Sequence, residues 1–115
     1  MRIRVLGCSG GIGAGARTSA MLVDNDVLID AGTGIGDLDL EDIDTIRHVF
    51  LTHSHLDHVA GLPLLVDRVF DEEVATPLTV YARKETLAAV QAHLFNGVIW
   101  PDFGKLPSEE NPMLR

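Results

Sequence analysis

Hydrophobic and polar positions alternate at the beginning of the chain. Ile3 and Val5 alternate with two arginines, and this period of two predicts a β-strand with one buried face. Five glycines follow within residues 7–15 and predict a flexible loop. The chain is therefore expected to open with a strand that leads into a glycine-rich loop.

Two short apolar runs come next, Ala20–Val23 and Val27–Ile29. The polar residues 24–26 separate them, and aspartate and asparagine tolerate the backbone angles of a tight turn. This pattern predicts a β-hairpin with Asp30 at its exit, followed by a glycine-rich segment at residues 31–36.

The middle of the chain predicts one weak helix and one buried strand. Leu38–Ile46 mixes acidic with aliphatic residues at spacings that suit a short helix or a turn. His48–Thr52 is β-prone, with Val49, Phe50 and Leu51 expected inside. This strand would end directly at a cluster of polar residues.

Helical spacing follows that cluster. Pro63 requires this helix to be kinked or to start late. The apolar residues that carry the spacing are Val59, Leu62, Val66, Val69 and Phe70.

The remaining segments continue the alternation of strands and helices. Leu78–Ala82 predicts a strand, and Lys84–Phe95 predicts an amphipathic helix with Gly97 as its stop signal. The apolar stripe of that helix consists of Leu87, Val90 and Leu94. The last fifteen residues hold three of the five prolines and are expected to lack regular structure. The fold class that follows is α/β.

Composition and charge narrow the classes of function. The chain has 115 residues, enough for at most one domain, and its formal net charge of −8 disfavours nucleic acid as a partner. The longest apolar run, residues 59–66, is far shorter than the ~18 residues that cross a bilayer. The apolar stretch after the N-terminal arginines is too short for a secretory signal. We therefore expect a cytoplasmic protein without membrane contact. The formation of a homo-oligomer is left open.

Candidate chemistry is concentrated in residues 52–58, which read T-H-S-H-L-D-H. Composition alone would produce the H-x-H-x-D-H pattern with a chance of about one in a thousand. His53 and His55 project to the same side of an extended backbone and can reach one cation. Asp57 and His58 lie at the turn into the next helix and can reach a second cation. If these four residues were ordinary loop residues, their clustering would serve no evident purpose. We therefore predict that they bind two divalent cations. Zinc is the preferred metal, and manganese or iron are the substitutes.

Further segments around this cluster carry a resemblance that covers most of the chain. They are L-G-C-S-G-G at Leu6–Gly11, A-R-T-S-A at Ala16–Ala20, L-I-D-A-G-T-G at Leu28–Gly34, T-H-S-H-L-D-H-V-A-G-L at Thr52–Leu62 and F-N-G-V-I-W-P-D-F at Phe95–Phe103. With these segments the chain resembles the metallo-β-lactamase superfamily and, within it, the class II 3′,5′-cyclic-nucleotide phosphodiesterases.

The resemblance implies a fold, an activity and a set of site residues. The fold would be the first half of an αββα sandwich, a mixed sheet with flanking helices. The activity would be hydrolysis of 3′,5′-cyclic AMP, and of cyclic GMP as a second substrate, to the 5′-monophosphate. His53 and His55 would bind one zinc ion, and Asp57 and His58 the other. Asp57 would also be catalytic by orienting the attacking water, and the Asp30 carboxylate would orient the metal loop.

The same resemblance implies ligands that these residues do not supply. The family provides a further histidine, a bridging aspartate and a last histidine from downstream segments, so residues 1–115 are expected to be the N-terminal part of one domain. His93 lies in a predicted helix and is expected on its surface. Two other functions stay open, a tRNA 3′-processing endonuclease of the same superfamily and an inactive fragment that binds metal weakly. The acidic charge argues against the endonuclease.

A dinucleotide fingerprint in the glycine loop is expected to be coincidental. Gly11, Gly13 and Ala16 match G-x-G-x-x-A, but residues 17–23 predict a strand where such a site needs a helix. A supporting role for Thr18 or the nearby Ser9 stays open.

The aromatic residues near the end of the chain, together with the single cysteine, give weaker signals. Cys8 is expected to be a small buried residue without a role. His48 is expected to be structural. Trp100 and Phe103 are expected either to stack on a purine base or to close the edge of the core.

Overall fold

A computed structural model describes residues 1–70, 77–106, 108–110, 112 and 114. The strands are β1 (Ile3–Gly7), β2 (Ala20–Val23), β3 (Val27–Ala31), β4 (His48–Phe50) and β5 (Thr79–Tyr81). The α-helices are α1 (Leu40–Asp44), α2 (Leu56–Val59), α3 (Leu62–Val69) and α4 (Lys84–His93), and a 3₁₀ helix covers Thr33–Asp37. Among the described residues, no helix has the length and apolar composition needed to cross a membrane.

The five strands form one mixed sheet in the order β1-β2-β3-β4-β5. β1, β2 and β3 pair antiparallel, whereas β3, β4 and β5 pair parallel. The hairpin of β2 and β3 confirms the prediction from the two apolar runs. The mixed sheet with helices also confirms the predicted α/β class.

The core lies between one face of this sheet and the helices. Leu22, Leu28 and Val49 belong to neighbouring strands and are buried together with Leu65 of α3 and Val90 of α4. Pro63 stands in the first turn of α3, where its missing N–H is harmless, so of the two predicted alternatives the structure shows the late start. The sheet and the layer of helices packed on it position the segment between β4 and α2 at the edge of the sheet.

The opposite face of the sheet is apolar and open to solvent among the described residues. Two rows cross it, Ile3-Val23-Val27-His48-Thr79 and Val5-Met21-Ile29-Phe50-Tyr81. The expectation that Ile3 and Val5 are buried is therefore wrong, since they are 52% and 61% exposed. Alternation separates the two faces of a strand but does not say which face a helix covers. Here Arg4 points to the covered side and pairs with Asp42 of α1 at 3.0 Å.

Phe50 and Cys8 also differ from their predicted burial. Phe50 is exposed on the open face and stacks on Tyr81, with ring centroids 4.5 Å apart. Cys8 is exposed after the end of β1, so the expectation of a small buried residue is wrong. Phe50 is exposed because no described element covers that side of the sheet.

The helix α4 and the segment after it refine two further predictions. The helix ends at His93, and Leu87 of its predicted stripe is exposed while Thr86 is buried instead. Phe103 is buried and its ring lies 5.1 Å from that of Phe70. Trp100 also packs against the core. The two aromatic residues near the end of the chain therefore close the edge of the core, which is one of the two predicted alternatives.

Candidate metal centre

The segment that joins β4 to α2 carries the predicted ligands. β4 ends at Phe50 and α2 begins at Leu56, so His53 and His55 lie in the connection and Asp57 lies in the first helical turn. His55 is the residue directly before the helix and still has extended backbone, with φ −61° and ψ 145°. The change from extended to helical backbone at this point turns Asp57 and His58 back toward the connection.

His53, Asp57 and His58 form a compact group of metal-ligand atoms. One donor atom from each lies within 4.8 Å of the others, and the rings of His53 and His58 are 4.1 Å apart. Bonds of about 2.0–2.2 Å from zinc to nitrogen or oxygen bring two ligands of one ion within roughly 4 Å of each other. Small side-chain rotations therefore suffice for one ion, and two imidazoles with a carboxylate are a donor set that zinc accepts.

His55 lies beside this group rather than in it. Its ring is 4.7 Å from that of His53 and nearly perpendicular to it, and the side chain is exposed. The group of three combines His53 with Asp57 and His58, whereas spacing in the sequence pairs His53 with His55. The turn into α2 accounts for the difference, because it brings residues four and five positions apart together.

Asp30 holds His58 from the side away from the group. Its carboxylate is buried, and Oδ2 lies 2.8 Å from His58 Nδ1. Because an ionised carboxylate only accepts hydrogen bonds, Nδ1 of a neutral His58 carries the proton and Nε2 presents its lone pair. That Nε2 atom lies 3.3 Å from Asp57 Oδ2.

Thr52 anchors the same carboxylate to the metal-ligand segment, which we define as residues 52–58. Its backbone N–H donates to Asp30 Oδ1 at 2.8 Å, and its hydroxyl lies 2.8 Å from Asp30 Oδ2. Sequence reasoning assigned Thr52 no function, although it directly precedes the first histidine. Asp30 therefore contacts both ends of the segment, at Thr52 and at His58.

A β-bulge in β3 places Asp30 for these contacts. Ala20 pairs with Ala31 while Met21 pairs with Ile29, so Asp30 is an extra residue without a partner on β2. Its φ of 59° is in the left-handed region, which aspartate tolerates better than most residues. The bulge breaks the alternation of β3 and leaves the side chain buried beside the neighbouring parallel strand.

Gly32 allows the loop after β3 to pass directly under α2. A Cβ at this position would lie 2.3 Å from the Asp57 carbonyl oxygen and 2.4 Å from Thr18 Oγ1. Only glycine fits without displacing the backbone of Asp57, a predicted ligand. The Gly32 N–H also donates to the Ser19 carbonyl at 2.8 Å.

A reciprocal pair of threonines joins the glycine-rich loop to this loop. The Thr18 N–H donates to Thr33 Oγ1 at 2.9 Å, and the Thr33 N–H donates to Thr18 Oγ1 at 2.7 Å. Thr18 is buried. This arrangement is a structural role for Thr18, one of the two residues whose function the sequence left open.

Other candidates from the sequence lie away from the centre. His93 is exposed in the last turn of α4, as predicted. His48 Nδ1 lies 3.1 Å from the hydroxyl of Tyr81, which agrees with a structural role. Residues 11–16 form a loop closed by a bridge between Gly13 and Ala16, and no helix begins there, so the dinucleotide fingerprint is coincidental.

Proteins that are similar in sequence are named for two different enzymes. The 3′,5′-cyclic-nucleotide phosphodiesterase 1 of Saccharomyces cerevisiae is 35% identical over 57 residues, which are 50% of this chain and 15% of that protein. The Ribonuclease Z of Thermococcus kodakarensis is 32% identical over 80 residues, 67% of this chain and 26% of that protein. The matched segments thus span well under half the length of these relatives.

Solved structures establish the fold. Unliganded yeast PDE1 superposes with a TM-score of 0.75 and 19% identity over 97% of this chain and 48% of that one. The metallo-beta-lactamase fold protein YhfI from Bacillus subtilis gives a TM-score of 0.61 with 23% identity, over 78% of this chain and 41% of that one. The described sheet and helices therefore have the architecture of metallo-β-lactamase fold proteins, over about half the length of the solved chains.

The family follows from a match over most of the chain. The family model of the class-II cAMP phosphodiesterases matches residues 41–111, which include every predicted metal ligand. The chain belongs to the class-II cAMP phosphodiesterase family.

Proposed function

We propose that this chain contributes the first metal-ligand segment of a phosphodiesterase that hydrolyses 3′,5′-cyclic AMP, and cyclic GMP as a second substrate, to the 5′-monophosphate. One observation carries the proposal: in a chain of this family, His53, Asp57 and His58 converge while a buried carboxylate holds the last of them in place. The yeast and Candida albicans relatives are named for this activity.

His53, Asp57 and His58 would hold a divalent cation, with His55 beside them as the fourth proposed ligand. When bound, such cations polarise a phosphoryl oxygen and make water nucleophilic near neutral pH. We propose a pair of cations, zinc first, and the further donors that a second cation requires are expected outside residues 1–115. Imidazole and carboxylate donors together also suit manganese and iron.

The protein residues in this proposal bind the cation, orient its ligands and accept a hydrogen bond from the attacking water. Asp30 holds the proton of His58 on Nδ1 and so keeps Nε2 available as a ligand. Thr52 supports that carboxylate with two hydrogen-bond donors. The side chain of Asp57 is partly exposed, so one carboxylate oxygen can accept a hydrogen bond from the attacking water.

The net charge of −8 does not prevent binding of an anionic substrate. Bound divalent cations are the largest local charges in such a site and determine the local field. The substrate would therefore be attracted at the edge of the sheet where the ligands lie. The location in the cytoplasm and the formation of a homo-oligomer stay predictions.

Hydrolysis and metal content measured on the same preparation test the proposal. We expect a protein that joins this chain to donors for the second cation, supplied with zinc or manganese, to convert cyclic AMP to 5′-AMP, to lose that activity to a chelator and to regain it with metal. Precursor tRNA serves as the competing substrate, and we expect no cleavage of it. Hydrolysis that is insensitive to chelators would contradict the proposal. Bound metal without hydrolysis would support the inactive metal-binding fragment instead.

A further inference from the structure

An open cleft runs from the metal-ligand group to the tip of the glycine-rich loop. It has a volume of about 510 Å³, and its walls come from residues 10–12, from Thr18 and Thr33, and from α2. Asp57 and His55 line the end nearest to the metal-ligand group. The cleft is thus continuous with the proposed site of phosphate chemistry, and its size matches that of small-molecule sites.

Two large aliphatic side chains in this cleft are exposed. Ile12 is 79% exposed at the tip of the loop, and Leu56 is 67% exposed at the start of α2. Both line the cleft although they belong to segments that are far apart in the sequence. Asp57 is the one carboxylate that lines it, so beyond the ligand end the described walls are uncharged. Uncharged walls that include large aliphatic side chains, with a single charged end, suit a ligand with one charged group.

We propose that this cleft binds the nucleoside part of the cyclic nucleotide, with the base against Ile12 and Leu56 and the cyclic phosphate toward Asp57. The inference rests on the proposed function and adds a subsite for the base to it. Both faces of a purine ring are apolar, so aliphatic contacts remove them from water. Ile12 and Leu56 then determine affinity for the base and do not take part in the chemistry.

Glycine at the tip of the loop keeps the cleft open. A Cβ at Gly11 would meet no atom within 4 Å, so a side chain there extends into space without straining the fold. Gly13 lies in the same loop but does not line the cleft, and a Cβ there would make only ordinary contact with Ala16, at 3.9 Å. Substitutions at these two positions therefore form a matched pair.

The test is binding, measured by methyl NMR titration of the full chain in the presence of zinc. The probes are 3′,5′-cyclic AMP and a ribose 3′,5′-cyclic phosphate that lacks the base. We expect cyclic AMP to shift the methyl signals of Ile12 and Leu56, and the base-free probe to leave them in place. Ile12→Ser and Leu56→Ser should each weaken binding of cyclic AMP about fivefold to tenfold. The same substitution at Val98, which is 84% exposed and outside the cleft, should change nothing.

The glycine pair gives a second arm of the experiment. Gly11→Leu should weaken binding of cyclic AMP at least tenfold by filling the cleft, whereas Gly13→Leu should bind as the wild type does. If the wild-type chain binds cyclic AMP and the Ile12, Leu56 and Gly11 variants bind it equally well, the subsite is wrong while the proposed function stands. If the wild-type chain with zinc does not bind cyclic AMP, the proposed function fails, and the subsite fails with it.

Discussion

The buried carboxylate of Asp30 lies 2.8 Å from Nδ1 of His58, although 28 residues separate the two positions in the sequence. Asp30 comes from a bulge in β3 and His58 from the short helix α2, so this contact joins the sheet to the metal-ligand segment. Thr52 binds the same carboxylate through its N–H and its hydroxyl. The position of the His58 ring is therefore determined by the sheet and not by the loop alone.

Asp30→Asn should weaken zinc binding by about 10- to 100-fold, as is usual when a residue that orients a metal-bound histidine is lost. Asparagine also tolerates the positive φ of this position, so the bulge is kept and only the charge and one acceptor are removed. Asp37→Asn is the control, since Asp37 pairs with Arg17 at the surface. Competition with a zinc-sensitive dye measures both affinities, and equal affinities would exclude the orienting role.

Gly32→Ala should destabilise the fold by about 1–3 kcal/mol because the added methyl overlaps the Asp57 carbonyl oxygen. Gly36→Ala is the matched control, since a Cβ there meets no atom within 4 Å. Urea unfolding curves of the two variants measure the difference. A Gly32 variant as stable as the Gly36 variant would show that the loop does not pass against α2 as described.

His53→Ala should reduce bound metal more than His55→Ala does. His53 belongs to the compact group with Asp57 and His58, whereas the ring of His55 lies beside it. We therefore expect the His55 variant to retain part of its zinc and the His53 variant to lose most of it. Elemental analysis after gel filtration gives the two contents, and the reverse order would mean that His55 is the stronger ligand.

Val49→Ala should cost about 1–3 kcal/mol of unfolding free energy, and Val5→Ala less than about 0.5 kcal/mol. Both residues are valines in strands, but Val49 is buried under the helices and Val5 lies on the open face. Thermal or urea unfolding compares the two. Similar losses would mean that another segment or another molecule covers the open face.

The order of strands and helices could be predicted because it depends on local patterns. The hairpin followed from two apolar runs around a polar turn, and Pro63 marked the beginning of α3. The covered face of β1 could not be predicted, because it depends on where the helices pack. Arg4, which alternation assigned to solvent, instead pairs with Asp42 of α1.

The proposed metal ligands could be predicted because they lie within the six positions 53–58, whereas the residues that support them are distant in the sequence. Asp30 was identified only through the family resemblance, and its contact with Thr52 spans 22 residues. Spacing also could not show that a bulge gives Asp30 a φ of 59° and directs its side chain under the site. The pairing of His53 with Asp57 and His58 depends on the start of α2, which residue spacing alone does not determine.

The zinc content of the purified chain tests the central claim most directly. Wild-type protein and a His93→Ala control, both purified with zinc and passed through gel filtration, should carry bound zinc in equal amounts. The variant with His53→Ala, Asp57→Asn and His58→Ala together should carry none, because it lacks the described group of donors. A wild-type chain that emerges without zinc, or a triple variant that retains as much zinc as the control, would contradict the account.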